Sequence, residues 1–271
     1  MVAVLVGAFG TLIGSFLNVV IYRVPLGKSI VAPPSACGSC GHEVRGYDNI
    51  PLVSWLVLRG KCRDCAAPIS VRYPLVELAG AIAFGLVAWR FLPTVFAASG
   101  GLEVAAAVLQ LVAFLYLVAI SIALALIDLD TRRLPNVIVL PAYLVGLALL
   151  GASALLTGSW AALALAGLGA AATGGLYLIL ALVRPGAMGM GDVKLAGVVG
   201  LFLGWLGVPE LVLGTVAAFI LGGLVGVGML LAGRGRKSPI AFGPWILAGA
   251  WIAILAGAPL VRAYLSLFGI T

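Results

Sequence analysis

Two aspartates stand where the chain is otherwise nearly free of charge, and they are the residues best suited to chemistry. Asp128 closes a long apolar run in the stretch Ala-Leu-Ile-Asp128-Leu-Asp130-Thr-Arg-Arg-Leu-Pro135, and Asp192 closes the turn Gly189-Met190-Gly191-Asp192 just before another apolar run. A carboxylate at membrane depth is costly and marks a functional site by default. Two at the same membrane edge form a pair that can share a proton and activate water. Each has a plainer reading. Asp128 could be a helix-end residue reaching for the interface, with Asp130 taking any role given to it, and Asp192 could be a helix N-cap.

The second set of reactive groups is four cysteines, Cys37-Gly-Ser-Cys40 and Cys62-Arg-Asp-Cys65, separated by 21 residues. Paired C-x-x-C turns present four thiolates to one tetrahedral zinc ion. They lie in the one long polar segment, which is too short to build much core, so a metal cross-link would offset the missing burial. A redox dithiol pair is the rival for these cysteines. His42 follows the first pair closely. With four thiolates already closing the site, it reads as a surface group and not a ligand.

The elements that must position these groups follow from composition. The 271 residues are 63% hydrophobic and only 9% charged, against about 25% charged for a soluble domain. Eight apolar runs stand out: 2–22, 74–92, 103–127, 136–156, 160–183, 193–206, 210–232 and 241–265. A crossing helix needs roughly 20 residues, so the sixth run is short for one. It reads as a half-span covered by neighbours or a tilted stub. The expected fold is therefore an all-α polytopic membrane protein of about eight transmembrane helices, with a small cytosolic zinc-ribbon-like segment between the first two.

Net charge is +7, which by itself would suit nucleic acid, but 14 of the 16 Lys and Arg residues fall on one side of this eight-span arrangement. They mark topology. The positive-inside rule places the N-terminus outside and both Asp128 and Asp192 at the cytoplasmic face, with the lipid bilayer as partner and no nucleic acid. The first span lacks a basic n-region and a convincing cleavage site, so it is expected to be a retained anchor. Gly10-x-x-x-Gly14 and Gly222-x-x-x-Gly226 suit close helix contacts.

Ordered motifs along nearly the whole chain resemble one family. They are Gly14-Ser-Phe-Leu-Asn-Val-Val-Ile-Tyr-Arg23, the two cysteine pairs, Asn49-Ile-Pro-Leu-Val-Ser-Trp-Leu56, Arg59-Gly-Lys-Cys62, Ile69-Ser-Val-Arg-Tyr-Pro-Leu-Val-Glu77, Asp128 through Pro135, Gly189 through Leu195, and Phe242-Gly-Pro244. The chain is similar to the bacterial type 4 prepilin peptidases (leader peptidase/N-methyltransferases), aspartic proteases of the Gly-x-Gly-Asp class. The family pattern Asp-x-x-x-x-x-Leu-Pro selects Asp128 over Asp130 as the first catalytic acid, and Asp192 matches the second.

The resemblance implies cleavage of the leader from type IV prepilins or pseudopilins at the cytoplasmic (inner) membrane face. It further implies methylation of the new N-terminal residue with S-adenosylmethionine. It divides the chain into a first helix (1–22), a cytosolic four-cysteine zinc segment holding the methyltransferase region (23–73) and a seven-helix aspartic peptidase domain (74–271). Glu77 is a candidate for holding the new amine; its plainer reading is an interfacial acid paired with Arg72. Two positions depart from the common pattern, Gly38 after Cys37 and Ala241 before Phe242, and neither bears a carboxylate or thiolate. A proton- or cation-coupled transporter with a regulatory zinc knuckle is the alternative function. It predicts inverted repeats, and the sequence has none.

Overall fold

The computed structural model describes residues 1–184, 188–233, 241–267 and 269. Arg234, Arg236 and Lys237, which belong to the topology argument, lie outside these residues. Among the described residues the long elements are all helices, and residues 27–52 and 58–71 are mostly turns and irregular chain with two isolated β-bridges near the cysteines. The helices are α1 (Val2–Arg23), the short α2 (Val53–Val57), α3 (Arg72–Ala97), α4 (Gly101–Thr131), α5 (Asn136–Thr157), α6 (Trp160–Val183), α7 (Met190–Leu206), α8 (Val208–Leu231) and α9 (Gly243–Ser266). Seven are long and apolar enough to cross a membrane; α7, with 17 residues, is the eighth long apolar helix. Each of the eight apolar runs is thus a helix, and the sixth starts three residues earlier than its apolar run.

The chain forms two compact units, Met1–Pro93 with Leu115–Ala123, and Thr94–Phe114 with Leu124–Thr271. In the first, α1 and α3 meet through glycines. Gly10 lies against Gly80, and a methyl group on Gly14 would come within 2.7 Å of the Cα of Glu77. Bare backbone on both sides lets the two helices approach to contact distance, as small-residue stripes do in membranes.

In the second unit α7 is the central element. Every residue from Val193 to Trp205 except Lys194 is buried, the pattern of a helix apolar all round and enclosed by protein. Its length of about 25 Å is less than the ~30 Å of a bilayer core. A helix covered by neighbours rather than lipid need not match that thickness. Gly169 of α6 faces Gly200 and Gly204 of α7, while Phe202 and Leu201 fill the space left by Gly146 of α5. Thr173 donates one hydrogen bond within α6, to the Gly169 carbonyl, and is placed 2.8 Å from the Ala196 carbonyl of α7 as well. Tyr143 of α5 donates to the Lys194 carbonyl at 2.7 Å. The link from α7 to α8 is Gly207 alone, at φ 139°, a conformation open in practice only to glycine.

A side chain at Gly200 would overlap the Gly169 backbone and the Thr173 hydroxyl. Gly200→Val should therefore lower the thermal unfolding midpoint in detergent by about 5 °C or more. Gly175→Ala on α6, where a methyl group meets nothing within 4 Å, should leave it nearly unchanged. Equal midpoints for both variants would contradict the packing described.

Candidate active site and cysteine centre

Asp128 is not at a helix end. α4 runs one turn further, to Thr131, and is closed by Arg132 in the left-handed region (φ 53°), whose N–H donates to the Asp128 carbonyl at 2.8 Å. The Asp128 side chain is buried, with 4% of the residue exposed, so the snorkelling reading fails. Its Oδ2 accepts the Gly243 N–H at 3.0 Å, the first amide of α9. The N-terminus of a helix favours an anion through its unpaired amides and its dipole. The approach requires glycine, because a Cβ on Gly243 would sit 2.8 Å from that same oxygen. Asp130 is exposed; two residues along a helix turn the side chain about 200° away.

Asp192 occupies the third position of α7, and Gly189 is the N-cap. Its Oδ2 accepts the Gly189 N–H at 3.0 Å, while its own N–H donates to the Gly189 carbonyl at 3.0 Å. The N-cap reading thus fails in detail, though Asp192 does help close the helix start. Leu134 lies between Gly191, which precedes Asp192, and Gly243, which holds Asp128. It limits the space at Gly191, where a Cβ would lie 3.0 Å from the Leu134 Cβ, and it also touches Gly243. The two carboxylates interact electrostatically.

Tyr177 of α6, 2% exposed, also feels the charge of Asp192. Its ring packs with Phe219 and Phe242 at 5.1 and 6.1 Å. Sequence reasoning noted Phe242 and Gly243 only as part of a motif, without a role. Tyr177 carried no signal at all, being one aromatic in an apolar run. At Lys194, two residues after Asp192, the ammonium donates to Asn136 Oδ1 at 3.1 Å.

The four cysteines converge. The Sγ atoms of Cys37, Cys40, Cys62 and Cys65 all lie within 4.8 Å of one another, and Cys37 and Cys65 are 3.8 Å apart. Tetrahedral Zn–S bonds of ~2.3 Å place sulfurs about 3.8 Å apart, so the set fits a zinc ion. The two knuckles repeat the same backbone. The N–H of Cys37 donates to the His42 carbonyl and that of Cys62 to the Ala67 carbonyl, and the N–H groups of Gly41 and Ala66 return to Cys37 and Cys62. Backbone amides of Cys40 and Ser39 hold the Cys37 thiol below the usual thiol range, while at Cys65 the Ala67 amide is outweighed by burial and the neighbouring sulfurs, which push that thiol up. His42 is exposed and outside the cluster.

Reciprocal ion pairs tie the knuckles together. Arg63 inside the second grips both oxygens of Asp48 at 2.9 Å from Nε, and Arg45 pairs with Asp64 at 2.8 Å. The Arg63 guanidinium holds the Asp48 carboxyl below the ordinary carboxylate range. The segment is anchored to the spans nearby. Glu77, 8% exposed, accepts the Leu52 N–H at 2.7 Å, and Asn18 of α1 donates to the Tyr73 carbonyl at 3.2 Å.

A bundle of apolar helices with one buried carboxylate in the last turn of α4 and one half-buried carboxylate in the first turn of α7 defines a multi-pass membrane protein with a candidate acid pair. Comparison with known proteins sharpens this. Residues 8–91 match the bacterial peptidase A24 N-terminal domain, and residues 114–227 match the type IV leader peptidase family. The chain is 38% identical to a prepilin leader peptidase/N-methyltransferase of Pseudomonas aeruginosa, over 96% of this chain and 92% of the relative. It is 36% identical to the protein so named in Aeromonas hydrophila, covering 97% and 94%, and 42% identical to that of Myxococcus xanthus, covering 88% and 65%. No solved structure matches the chain. The chain belongs to the type IV leader peptidase family.

The equivalent positions Gly41 and Ala66 both adopt positive φ, 75° and 56°. Left-handed backbone costs a non-glycine residue roughly 1–2 kcal/mol. Gly41→Ala should therefore speed alkylation of the cysteines in mild denaturant, whereas Ala66→Gly should slow it or leave it unchanged. Faster alkylation of Ala66→Gly would contradict the matched-knuckle geometry.

Proposed function

We propose that this protein cleaves the leader of type IV prepilins or pseudopilins with Asp128 and Asp192, and then methylates the new N-terminal amine. The observation that carries the reading is that Asp128 and Asp192 are each held by one backbone amide, with Leu134 lying against both Gly243 and Gly191 beside them. Two close carboxylates cannot both ionise easily, so one proton is shared between them. The ionised acid takes a proton from water as the water oxygen attacks the scissile carbonyl carbon. The protonated acid donates to the carbonyl oxygen. Collapse of the tetrahedral intermediate breaks the C–N bond, and the leaving nitrogen takes the proton held by the first acid. The low dielectric around Asp128 strengthens these transfers.

Charge placement orients the chain with its N-terminus outside and the acids at the cytoplasmic face of the inner membrane. A prepilin has a membrane-seeking apolar helix and a basic leader, and the acids attract the leader to the point where the helix leaves the bilayer. Zinc held by Cys37, Cys40, Cys62 and Cys65 would cross-link the cytosolic segment. S-adenosylmethionine would supply the methyl group. The transporter alternative draws no support from the relatives, which are named as peptidases and methyltransferases.

Asp128→Asn and Asp192→Asn keep size and hydrogen bonding but remove the ionisable group. Each should reduce cleavage of a synthetic prepilin by orders of magnitude, about 10³-fold or more, as read by mass loss. Asp130→Asn should keep most activity, and Gly243→Ala should lose much of it by displacing the Asp128 carboxylate. Wild-type turnover by Asp128→Asn would sink the assignment.

Metal analysis of the purified protein should find about one zinc per chain. Replacing any one of the four cysteines with serine should release it and loosen the cytosolic segment while the spans stay inserted. Metal-free protein whose four thiols all alkylate freely in the folded state would contradict a zinc centre.

A further inference from the structure

Three of the sequence motifs have no part in the aspartate chemistry, namely those at residues 14–23, 49–56 and 69–77. All three line one cavity of about 660 Å³ in the first unit. That is the size of a site for a small organic ligand. The cavity runs from Leu12 and Phe16 on α1 to Ser39 and His42 at the first knuckle. Leu12 lies eleven residues before Arg23, so one end reaches about 16 Å down the span. The other end lies among the polar cysteine knuckles.

We propose that this cavity is the methyl-donor site and binds S-adenosylmethionine, an inference that rests on the methyl-transfer reading above. Charge is the first argument. Four acids (Glu43, Asp48, Asp64 and Glu77) and two arginines (Arg23 and Arg63) line the cavity. Arg63 is already paired with Asp48, and Arg23 donates to the carbonyls of Ser29 and Pro33 at 3.0 and 2.7 Å. Of the acids, Asp48 and Asp64 are engaged by Arg63 and Arg45, which leaves Glu43 and Glu77 as the carboxylates that face a cationic ligand, while an anionic lipid headgroup finds both arginines engaged. S-adenosylmethionine carries a sulfonium and an ammonium against one carboxylate.

Preorganisation is the second argument. Glu77 is held by the Leu52 N–H through Oε2 alone. Trp55 is fixed by its Nε1 donating to the Ile69 carbonyl at 3.2 Å, and by Gly60, where a Cβ would come within 2.9 Å of the indole. A fixed indole in the wall suits stacking on an adenine or contact with a sulfonium. The third argument is position. The acceptor is the amine of a helix lodged in the membrane, and the donor comes from the cytosol. A site open to both depths lets them meet. The neutral amine nitrogen attacks the methyl carbon, the C–S bonding electrons return to sulfur to give the thioether S-adenosylhomocysteine, and the extra proton on nitrogen passes to water.

Calorimetric titration of the purified full-length protein in detergent with S-adenosylmethionine and, separately, S-adenosylhomocysteine tests the site. Ser15→Trp fills the cavity from α1 and should weaken both ligands by about tenfold or more. Glu77→Gln keeps an acceptor for the Leu52 N–H but removes the charge. It should weaken S-adenosylmethionine by about tenfold and the neutral thioether by less than about threefold. Unchanged zinc content and helical circular dichroism confirm that each variant is folded. Wild-type binding with no loss in either folded variant would overturn the site while leaving methyl transfer standing, as would a co-purified lipid in the cavity that the donor does not displace. Equal losses for the two ligands in Glu77→Gln would overturn Glu77 as the carboxylate that faces the sulfonium. Failure of the wild type to bind the donor or to methylate a trimmed pilin would overturn the methyl-transfer reading, and the inference with it.

Discussion

A buried carboxylate in a helical membrane bundle has to be stabilised by protein, and here the stabiliser is one amide. The hydrogen bond from Gly243 N–H to Asp128 ties the end of α4 to the start of α9, 115 residues apart in sequence. It places a negative group where a helix begins and its amides are unpaired. It also accounts for a glycine at 243, since any side chain there would displace the oxygen it serves. The left-handed closure at Arg132 is part of the same construction. It ends α4 just past the acid and returns the chain so that Leu134 can pack between Gly191 and Gly243.

The second acid depends on a helix that could not stand alone in lipid. α7 is short, and glycine-rich where it meets α6. Such a sequence gains its stability from close backbone contact and from Leu201, Phe202 and Leu203 filling the space around it, not from matching the bilayer. Burial on all sides fixes its axis, and with it the position of the first turn that carries Asp192. The hydrogen bond between the Asp192 carboxylate and the Gly189 amide then fixes the side chain within that turn. Rigid packing far from the acid thus sets the acid's geometry.

Much of this was legible in the sequence, for definite reasons. Charge is so rare in the chain that Asp128 and Asp192 stood out, and eight apolar runs translated directly into eight helices. Four cysteines in two C-x-x-C turns have few uses besides metal. What could not be read was long-range or conformational. Nothing local distinguishes Asp128 as buried from Asp130 as exposed; the helix phase and the arrival of α9 decide that. Tyr177 lies in a run where any large apolar residue would serve. The partner of Glu77 was expected among charged side chains such as Arg72, and the structure supplies the backbone amide of Leu52, which no charge pattern foretells. The start of α7 at Met190 follows from the Gly189 cap, a feature that hydropathy cannot register.

The central claim is that Asp128 and Asp192 act as one proton-sharing unit. It is tested most directly by the pH dependence of kcat/KM for cleavage of a prepilin by the wild-type protein. A pair that needs one acid ionised and the other protonated gives a bell-shaped profile, falling on both sides as the shared proton is lost or a second is gained. That is the expected result. A rate that rises to a plateau and stays there, as for a single general base, would contradict the account.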